Sequence, residues 1–445
     1  MNNLSIQKQF WRYAIPTVAA MLVNGLYQVV DGIFIGQFMG ASGLAGINVA
    51  WPVIGSILGL GMMIGVGTGA LASIRLGEED RDAAKQILAT GMMTLALCAP
   101  IVAILLWQFS HQFLAWQGVD GEIYAMGMQY LDVLIFGAVF TLGSIATPFL
   151  IRNDDSPNIA TALMVLGAVV NIVLDYLFIA VFDWQLAGAA LATLIAQGVV
   201  TVLGIGYFFS RYAKMRLSVS DFRFRLTVLP RIMAIGLASF FMYAYGSIMV
   251  AVHNALFATY GDMVLIGSYA ILGYIVAFYY LIAEGLANAM QPLVSFNYGA
   301  RKQQNIKHLF NITIVSAVGI GVLFLVLLNL FPYHTVSIFN STDTSLIDNT
   351  VLGIRLHLFA LFLDGMIVVI AAYYQAIGYT KKALFVTVGN IAIQLPFLYV
   401  LPKLWGVTGV WIAYPISNIV LGVVVAMMII RDLKRLLPSH PKPAM

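Results

Sequence analysis

Long apolar runs recur along almost the whole chain, and they constrain its fold more than any other feature. Each run is about 20 residues long, enough at ~1.5 Å per residue to cross a hydrocarbon core of ~30 Å. Only 9% of the residues are charged and 61% are hydrophobic, so no soluble domain fits between the runs. The sequence predicts an all-α integral membrane protein with twelve spans. They lie near residues 13–37, 45–70, 87–108, 122–150, 157–181, 186–209, 231–256, 264–292, 308–331, 350–376, 382–402 and 407–430.

Lysine and arginine predict the orientation of these spans. With both termini cytoplasmic, 21 of the 23 Lys and Arg residues fall on the cytoplasmic side, and only Arg355 and Lys403 fall outside. Cytoplasmic loops are enriched in these residues, so this split favours an even number of spans. The net charge of +4 reflects the same bias, and we expect no nucleic-acid partner.

Two sequence matches indicate an internal repeat. Residues 75–88 resemble residues 297–310, and residues 184–192 resemble residues 405–413, so both matches have nearly the same offset, close to half the chain. We therefore predict two pseudo-symmetric six-helix lobes, related by an axis along the membrane normal. The predicted boundaries are 1–210 for the first lobe, 211–230 for a cytoplasmic connector, and 231–445 for the second lobe with a short cytoplasmic tail. Such repeats are typical of secondary transporters that work by alternating access, although duplicated bundles also occur in membrane enzymes.

Polar side chains within the spans are candidate functional residues, because they are costly in a bilayer. In the first half they line up at helical spacing on three spans. The sets are Asn24, Tyr27, Gln28 and Asp31 on the first span, Asn171 and Asp175 on the fifth, and Thr193 and Gln197 on the sixth.

Depth predicts which of these residues meet. Asp31, Asp175 and Thr193 all lie ~10 Å from the outer ends of their spans, and Tyr130 on the fourth span lies only slightly deeper. Their oxygens, with those of Asn171, suit a proton or a hard cation such as Na⁺. We predict an ion-coupling site here and assign Asn24, Gln28 and Gln197 to a substrate path. The alternative is that these groups only fix helix packing by hydrogen bonds.

The second half does not duplicate the acidic pair, since Asp175 aligns with Pro396 and Asp31 falls near Ala251. It has its own polar residues, which could line the substrate path or form a second ion site. These are Glu284, Asn288, Gln291 and Ser295 on the eighth span and Asp364 in the tenth. His253 on the seventh span is expected to make packing hydrogen bonds.

Three motifs are distinctive in combination: YQVVDGIFIG at 27–36, NIVLDYLFI at 171–179 followed by GAALAT at 188–193, and AEGLANAMQPLVSFNYGA at 283–300. Together they resemble the multidrug and toxic compound extrusion (MATE) family, in particular its DinF-like and MepA-like bacterial members. The resemblance implies antiport of organic cations against H⁺ or Na⁺, by a rocker-switch movement of the two lobes. It also implies a multidrug efflux protein of the bacterial inner membrane, linked to antibiotic resistance. We expect it to act on small organic molecules, surrounded by membrane lipid, as a monomer without a cofactor.

The resemblance also implies roles for particular residues. An Asp on helix 1, an Asn and an Asp on helix 5, and a Thr on helix 6 form the first-lobe site of the DinF-like members. A helix 4 tyrosine corresponds to Tyr130, and helix 1 of the family bends at the position of Pro16. Asp364 is similar to a helix 10 carboxylate that binds cations in the NorM-like branch, whose other second-lobe residues are not evident here. The first-lobe residues correspond to Asp31, Asn171, Asp175 and Thr193.

Two other functions were considered. A flippase for lipid-linked sugars would need a cationic cavity, whereas the charges within these spans are acidic. A membrane prenyltransferase is suggested by NDDSP at 153–157, but Asp154 and Asp155 lack a second Asp-rich cluster, and we predict that they lie in a solvated loop. There is no Walker motif for ATP, and the glycine-rich GVGTGA at 65–70 predicts close helix packing. The chain is therefore not expected to be an enzyme.

Overall fold

The computed structural model describes residues 5–116, 121–261, 263–340 and 342–435. Within these ranges the regular structure is helical and no strand is formed. Most of the predicted cytoplasmic tail, residues 436–445, lies outside the described residues.

Nine continuous helices, a broken helix and a long final stretch follow one another in the described chain. They are α1 (Ile6–Gly40), α2 (Ser42–Gly77), α3 (Arg81–Trp116), α4 (Gly121–Asn153), α5 (Pro157–Asp175), α6 (Gln185–Tyr207), α7 (Leu229–Tyr260), α8 (Met263–Gly299), α9 (Gln303–Leu330), α10 (Thr344–His357 with Phe362–Ala376) and the stretch Thr380–Arg435. A π-helical segment, Tyr176–Val181, continues α5. A single 3₁₀ turn, Val219–Asp221, lies between α6 and α7, and a short helix, Pro332–Ser337, precedes α10.

The final stretch contains two spans. Its 56 residues would extend ~84 Å, far more than the ~30 Å of a hydrocarbon core. The backbone leaves the helical region at Trp405 and at Gly406, where φ is 56°, so α11 covers residues 380–404 and α12 covers residues 407–435. The two segments of α10 meet at 53° and together make one span. The described residues therefore hold twelve spans, at the positions expected from hydropathy.

Backbone geometry repeats between the halves. Three turns between helices contain a residue in the left-handed region, and the same region is occupied again in the corresponding turns of the second half. The pairs are Glu79 with Arg301, Asp155 with Gly378, and Gln185 with Gly406, and their offsets agree closely with that of the two sequence matches. Tight turns that need positive φ are set by local geometry, so their recurrence is a structural sign of the repeat.

The described chain forms two compact units. The first is Ile15–Ala244, and the second contains residues 5–14 and 245–435. Helices α1 and α7 each contribute residues to both units. The two units therefore divide within these helices, at residues 14–15 and 244–245.

Apolar clusters stabilise each unit. In the first unit, one cluster surrounds Leu131 and Leu186, and another joins the start of α7 to the ends of α2, α4 and α6 around Phe208 and Ile232. In the second unit, Tyr279 and Trp411 are both fully buried at the centre of the main cluster. Many large apolar side chains elsewhere remain exposed, for example Phe136 at 87%, which suits a lipid environment.

Candidate functional site: a buried pair of carboxylates

Helix α1 presents the first part of the site. The backbone stays helical through Pro16 and through Asn24–Asp31, so the polar residues spaced i, i+3, i+4 and i+7 share one face. Asp31, at 8% exposure, is buried, whereas Asn24 and Tyr27 are half-buried and Gln28 is exposed. The stripe therefore runs from accessible amides to a buried carboxyl group.

Helix α5 presents the second carboxyl group. Asn171 and Asp175 lie one turn apart, and both are almost completely buried. Asp175 is the last residue of the α-helical part, and the π-helical segment begins directly after it. Wider π-helical turns occur frequently at functional sites because they redirect the side chains around them. The sequence analysis did not predict this feature.

Neighbouring helices add neutral oxygens. The Asn171 side-chain amide donates to Thr193 Oγ1 on α6 at 3.2 Å. Tyr130 on α4 is buried and is a hydrogen-bond partner of Thr193. Gln197, one turn beyond Thr193, accepts from the hydroxyl of Thr141 at 2.7 Å.

The two carboxyl groups share one electrostatic environment. Asp31 and Asp175 interact with each other, and both interact with Tyr27 and Tyr130. Asp31 Oδ1, Asn171 Oδ1 and both carboxylate oxygens of Asp175 are buried without a hydrogen-bond partner among the described residues. Unpaired buried carboxylates are expensive. Two that interact with each other are disfavoured as a doubly charged pair, and a proton or a cation would relieve that repulsion.

The set of oxygens fits a proton or a monovalent hard cation. Within the described ranges, no group of three or more His, Cys, Asp or Glu side chains is placed to hold a metal ion. Two carboxylates with the neutral oxygens of Asn171, Thr193 and Tyr130 are ligands of the kind Na⁺ accepts, and either carboxylate can take a proton.

In the second unit, the stripe of polar residues spaced along one face of α8 is partly used in packing. Glu284 and Asn288 are buried, and Asn288 Nδ2 lacks a partner among the described side chains and backbone. Gln291 donates to Ser295 at 3.3 Å, and Ser295 donates to the carbonyl of Ala376 at 2.8 Å. The end of the stripe nearest Ser295 therefore packs α8 against α10.

Asp364 is a second buried carboxyl group of this unit, and unlike Asp31 and Asp175 both of its oxygens accept a hydrogen bond. The Tyr414 hydroxyl donates to Oδ2, and the Asn418 amide donates to Oδ1 at 2.5 Å. Both partners come from one face of α12, at i and i+4. Their spacing was a possible signal in the sequence, but it was not recognised there. His253 was expected to make packing hydrogen bonds, but its Nδ1 lies 2.8 Å from the Met249 carbonyl oxygen of its own helix. It contacts another helix through ring stacking on Tyr269 of α8.

The loop after α4 corrects one sequence interpretation. Asp154 was expected in a solvated loop, but it is only 1% exposed. It accepts from the Tyr207 hydroxyl at 2.7 Å and from the backbone N–H groups of Lys214 and Met215 at 2.7 and 2.6 Å. Asp155 pairs with the Lys214 side chain. The loop thus fastens the connector to the first unit, a contact between distant residues that local composition does not reveal.

Twelve helical spans, a repeated backbone and buried, unpartnered carboxyl groups within the spans together define a class of protein. They are typical of a secondary membrane transporter.

Comparison with known proteins identifies the family. The MatE family model matches residues 16–177 and 234–400, most of the chain. The chain belongs to the MatE family, whose members are multidrug efflux transporters and not enzymes.

Relatives are similar in sequence, and solved structures are similar in fold. The multidrug export protein MepA of Staphylococcus aureus (strain NCTC 8325) is 27% identical over 406 residues, covering 91% of this chain and 89% of MepA. MepA of Staphylococcus saprophyticus subsp. saprophyticus is 26% identical over the same length, with the same coverage of both chains. An outward-facing multidrug resistance MATE transporter matches with a TM-score of 0.91 at 24% identity, covering 97% of both chains. A MOP superfamily transporter from Pyrococcus furiosus gives the same values.

These findings confirm several predictions from the sequence. They are the family, the all-α fold with twelve helices in two lobes, the multi-pass membrane location and the assignment to transporters.

Proposed function

We propose that this protein exports organic, mainly cationic and lipophilic compounds in exchange for H⁺ or Na⁺. The observation that carries the proposal is the pair of buried carboxyl groups, Asp31 and Asp175, whose oxygens lack partners among the described residues. An architectural pair would be expected to have such partners, as Asp364 does. A pair that must alternately bind and release a cation needs free oxygens.

The coupling step follows from charge. With a proton or Na⁺ bound, one of the two negative charges is cancelled, the repulsion within the pair is removed and α1 packs stably against α5 and α6. Without it, two buried negative charges repel each other and favour a different arrangement of α1, with a bend at Pro16. Binding of the ion from outside therefore favours one state of the carrier, and export of the substrate favours the other, which is antiport by linkage. Asn171, Thr193 and Tyr130 supply neutral oxygens that orient the ion.

The substrate path is proposed to use the polar and acidic residues of both halves. Acidic and aromatic side chains attract organic cations, and flexible methionines accommodate different shapes. The residues assigned to the path are Asn24, Gln28, Gln197, Glu284, Asn288, Gln291 and Asp364.

At the level of the whole carrier, we propose alternating access by two lobes, residues 1–210 and 231–445, joined by the connector 211–230. Both termini are cytoplasmic, and the membrane is the bacterial inner membrane. The carrier works as a monomer in lipid, and its energy source is the ion gradient.

The test is export of a fluorescent organic cation from proteoliposomes, driven separately by a proton gradient and by a sodium gradient. We expect one gradient to drive transport in the wild type, and Asp31→Asn and Asp175→Asn each to abolish it while the protein still inserts. Asp348→Asn is the matched control, because Asp348 is exposed on α10.

Two outcomes would contradict the proposal. Wild-type vesicles that move none of several cations under either gradient would exclude coupled export. Full gradient-driven transport in both α1 and α5 variants would place the coupling site elsewhere.

A further inference from the structure

Helices α1 and α5 are joined by a hydrogen bond far from the carboxyl pair. The hydroxyl of Thr161 on α5 donates to the backbone carbonyl of Pro16 on α1 at 2.8 Å. Pro16 has no N–H, so α1 lacks the hydrogen bond that residue 16 would otherwise donate to the carbonyl of residue 12. The contact from Thr161 therefore falls at a turn of α1 that lacks one backbone hydrogen bond.

The same two helices meet again at the carboxyl pair. At ~1.5 Å per residue, the axial distance from Pro16 to Asp31 on α1 is ~22 Å, and that from Thr161 to Asp175 on α5 is ~21 Å. On both helices the residue of the Thr161–Pro16 bond comes before the carboxyl group in the chain, so the two helices run parallel. Because the two axial distances are nearly equal, one axial register of α1 on α5 fits both places.

An open groove lies along α5 beside this bond. Its volume is about 490 Å³, and its lining includes Pro16, Thr161, Val165 and Val169. The other lining residues are apolar except for Asn158.

We propose that Thr161 is a positioning residue, whose hydroxyl fixes the axial register of α1 on α5 and so holds Asp31 level with Asp175. A slip of one residue would move Asp31 by ~1.5 Å along the axis and turn it by about 100°. That displacement would separate the two carboxyl groups. The inference rests on the proposed coupling role of the pair.

The first test compares Thr161→Val, which keeps the shape but removes the hydroxyl, with Thr161→Ser, which retains it. In gradient-driven transport, Thr161→Val should raise the half-saturating concentration of the driving ion about threefold to tenfold, the effect of losing one hydrogen bond. Affinity for the organic substrate, measured without a gradient, should change less than twofold. Thr161→Ser should restore the wild-type ion dependence.

Thr313→Val is the matched control. Its hydroxyl donates only to the carbonyl of Leu309 in its own helix, at 2.7 Å, so its loss should leave ion dependence unchanged. If Thr161→Val does not reach the membrane, Thr161→Cys replaces it, because a thiol is a weak donor. The half-saturating ion concentration of Thr161→Cys should then lie between the value for Thr161→Ser and ten times the wild-type value.

The second test measures register directly. Spin labels at the exposed positions Val29 on α1 and Val173 on α5, in a chain with Cys98→Ser, report the distance between the helices. We expect Thr161→Val to shift or broaden the distance distribution and Thr161→Ser to leave it unchanged.

An unchanged distribution together with wild-type ion dependence in Thr161→Val would overturn the inference. If the wild type shows no coupled transport, the proposed function fails, while the spin-label distances still decide whether Thr161 sets the register. If Asp31→Asn is inactive but Thr161→Val behaves as wild type, only the positioning role is excluded.

Discussion

Asp31, Asp175 and Asp364 are all buried within helices, but their surroundings differ. Asp364 receives hydrogen bonds from Tyr414 and Asn418, whereas both oxygens of Asp175 and one of Asp31 receive none from the described residues. Buried polar groups that are fully bonded stabilise a fold, and unbonded ones reduce its stability. Strain of this kind is commonly retained where function requires it.

This difference predicts opposite effects on stability. Asp364→Asn should lower the free energy of unfolding by about 1–3 kcal/mol. The asparagine would replace one accepting oxygen with an NH₂ group, which would face one of the two present donors, Tyr414 or Asn418. Asp31→Asn and Asp175→Asn should leave the melting temperature unchanged or raise it, since each removes a buried charge. Thermal melting of the purified variants in detergent checks both, and a clear drop for Asp31→Asn would contradict the idea that its carboxylate is strained.

Asp154 predicts a dependence of stability on pH. Burial raises the pKa of its carboxyl group, and the bonds from Tyr207, Met215 and Lys214 offset part of that rise. Because the folded pKa lies above the unfolded value of about 4, the contribution of this group is fully present below pH 4 and is lost as pH rises through the folded pKa. The melting temperature of the wild type, relative to Asp154→Asn, should therefore fall as pH increases.

Asp221 provides a comparison of opposite sign. Hydrogen bonds from the Ser218 backbone and side chain lower the pKa of its carboxyl group. Its contribution is therefore present above pH 4 and lost as pH falls through the folded pKa. Wild type relative to Asp221→Asn should gain stability with increasing pH. If the stability of the wild type relative to Asp154→Asn and relative to Asp221→Asn changed with pH in the same direction, the opposite pKa shifts of Asp154 and Asp221 would be contradicted.

At the scale of elements, the glycine-rich segment of α2 has a packing role, as its composition predicted. A side chain at Gly65 would meet the backbone of Ala146 on α4, and one at Gly67 would overlap with the carbonyl of Ile232 on α7. In return, a side chain at Gly236 on α7 would overlap with the carbonyl of Met63. Close packing of α2 was predictable from small residues. Its partner α7 was not, because that contact joins residues far apart in the chain.

Gly236→Ala should therefore destabilise the protein by about 1–3 kcal/mol, because the added methyl group forces two backbones apart. Gly246→Ala on the same helix is the matched control, since no atom lies within 4 Å of its added Cβ. This control should be neutral or slightly stabilising, because alanine favours a helix by up to about 1 kcal/mol over glycine. Equal melting temperatures for the two variants would argue against the tight α2–α7 crossing.

The whole molecule combines a repeated backbone with unequal chemistry. Positive φ recurs in corresponding turns of the two halves, yet the unpartnered acidic pair occurs in the first half and the bonded Asp364 in the second. A duplicated scaffold with different sites in its halves allows ion binding and substrate binding to be separated. It also fixes the direction in which every loop leaves the membrane.

Orientation is the prediction that belongs to this scale. In a chain with Cys98→Ser, a cysteine at exposed Lys302 should react with an impermeant maleimide only in inverted vesicles. A cysteine at exposed Ser345 should react only in intact cells, because the charge distribution places Lys302 inside and Ser345 outside. The reverse labelling pattern would show that the termini are not cytoplasmic.

The twelve spans, the repeat and the polar faces of α1, α5 and α6 were predictable from local patterns, because hydropathy and helical period depend on neighbouring residues. Tertiary packing set the other features: the π-helical turn after Asp175, the bonds from Asp154 to the connector, and the contact between Thr161 and Pro16. It also decided that Asp364 has partners where Asp31 and Asp175 leave oxygens free. Hydrogen bonds between helices depend on which distant side chains the packing brings together, and no local pattern specifies that.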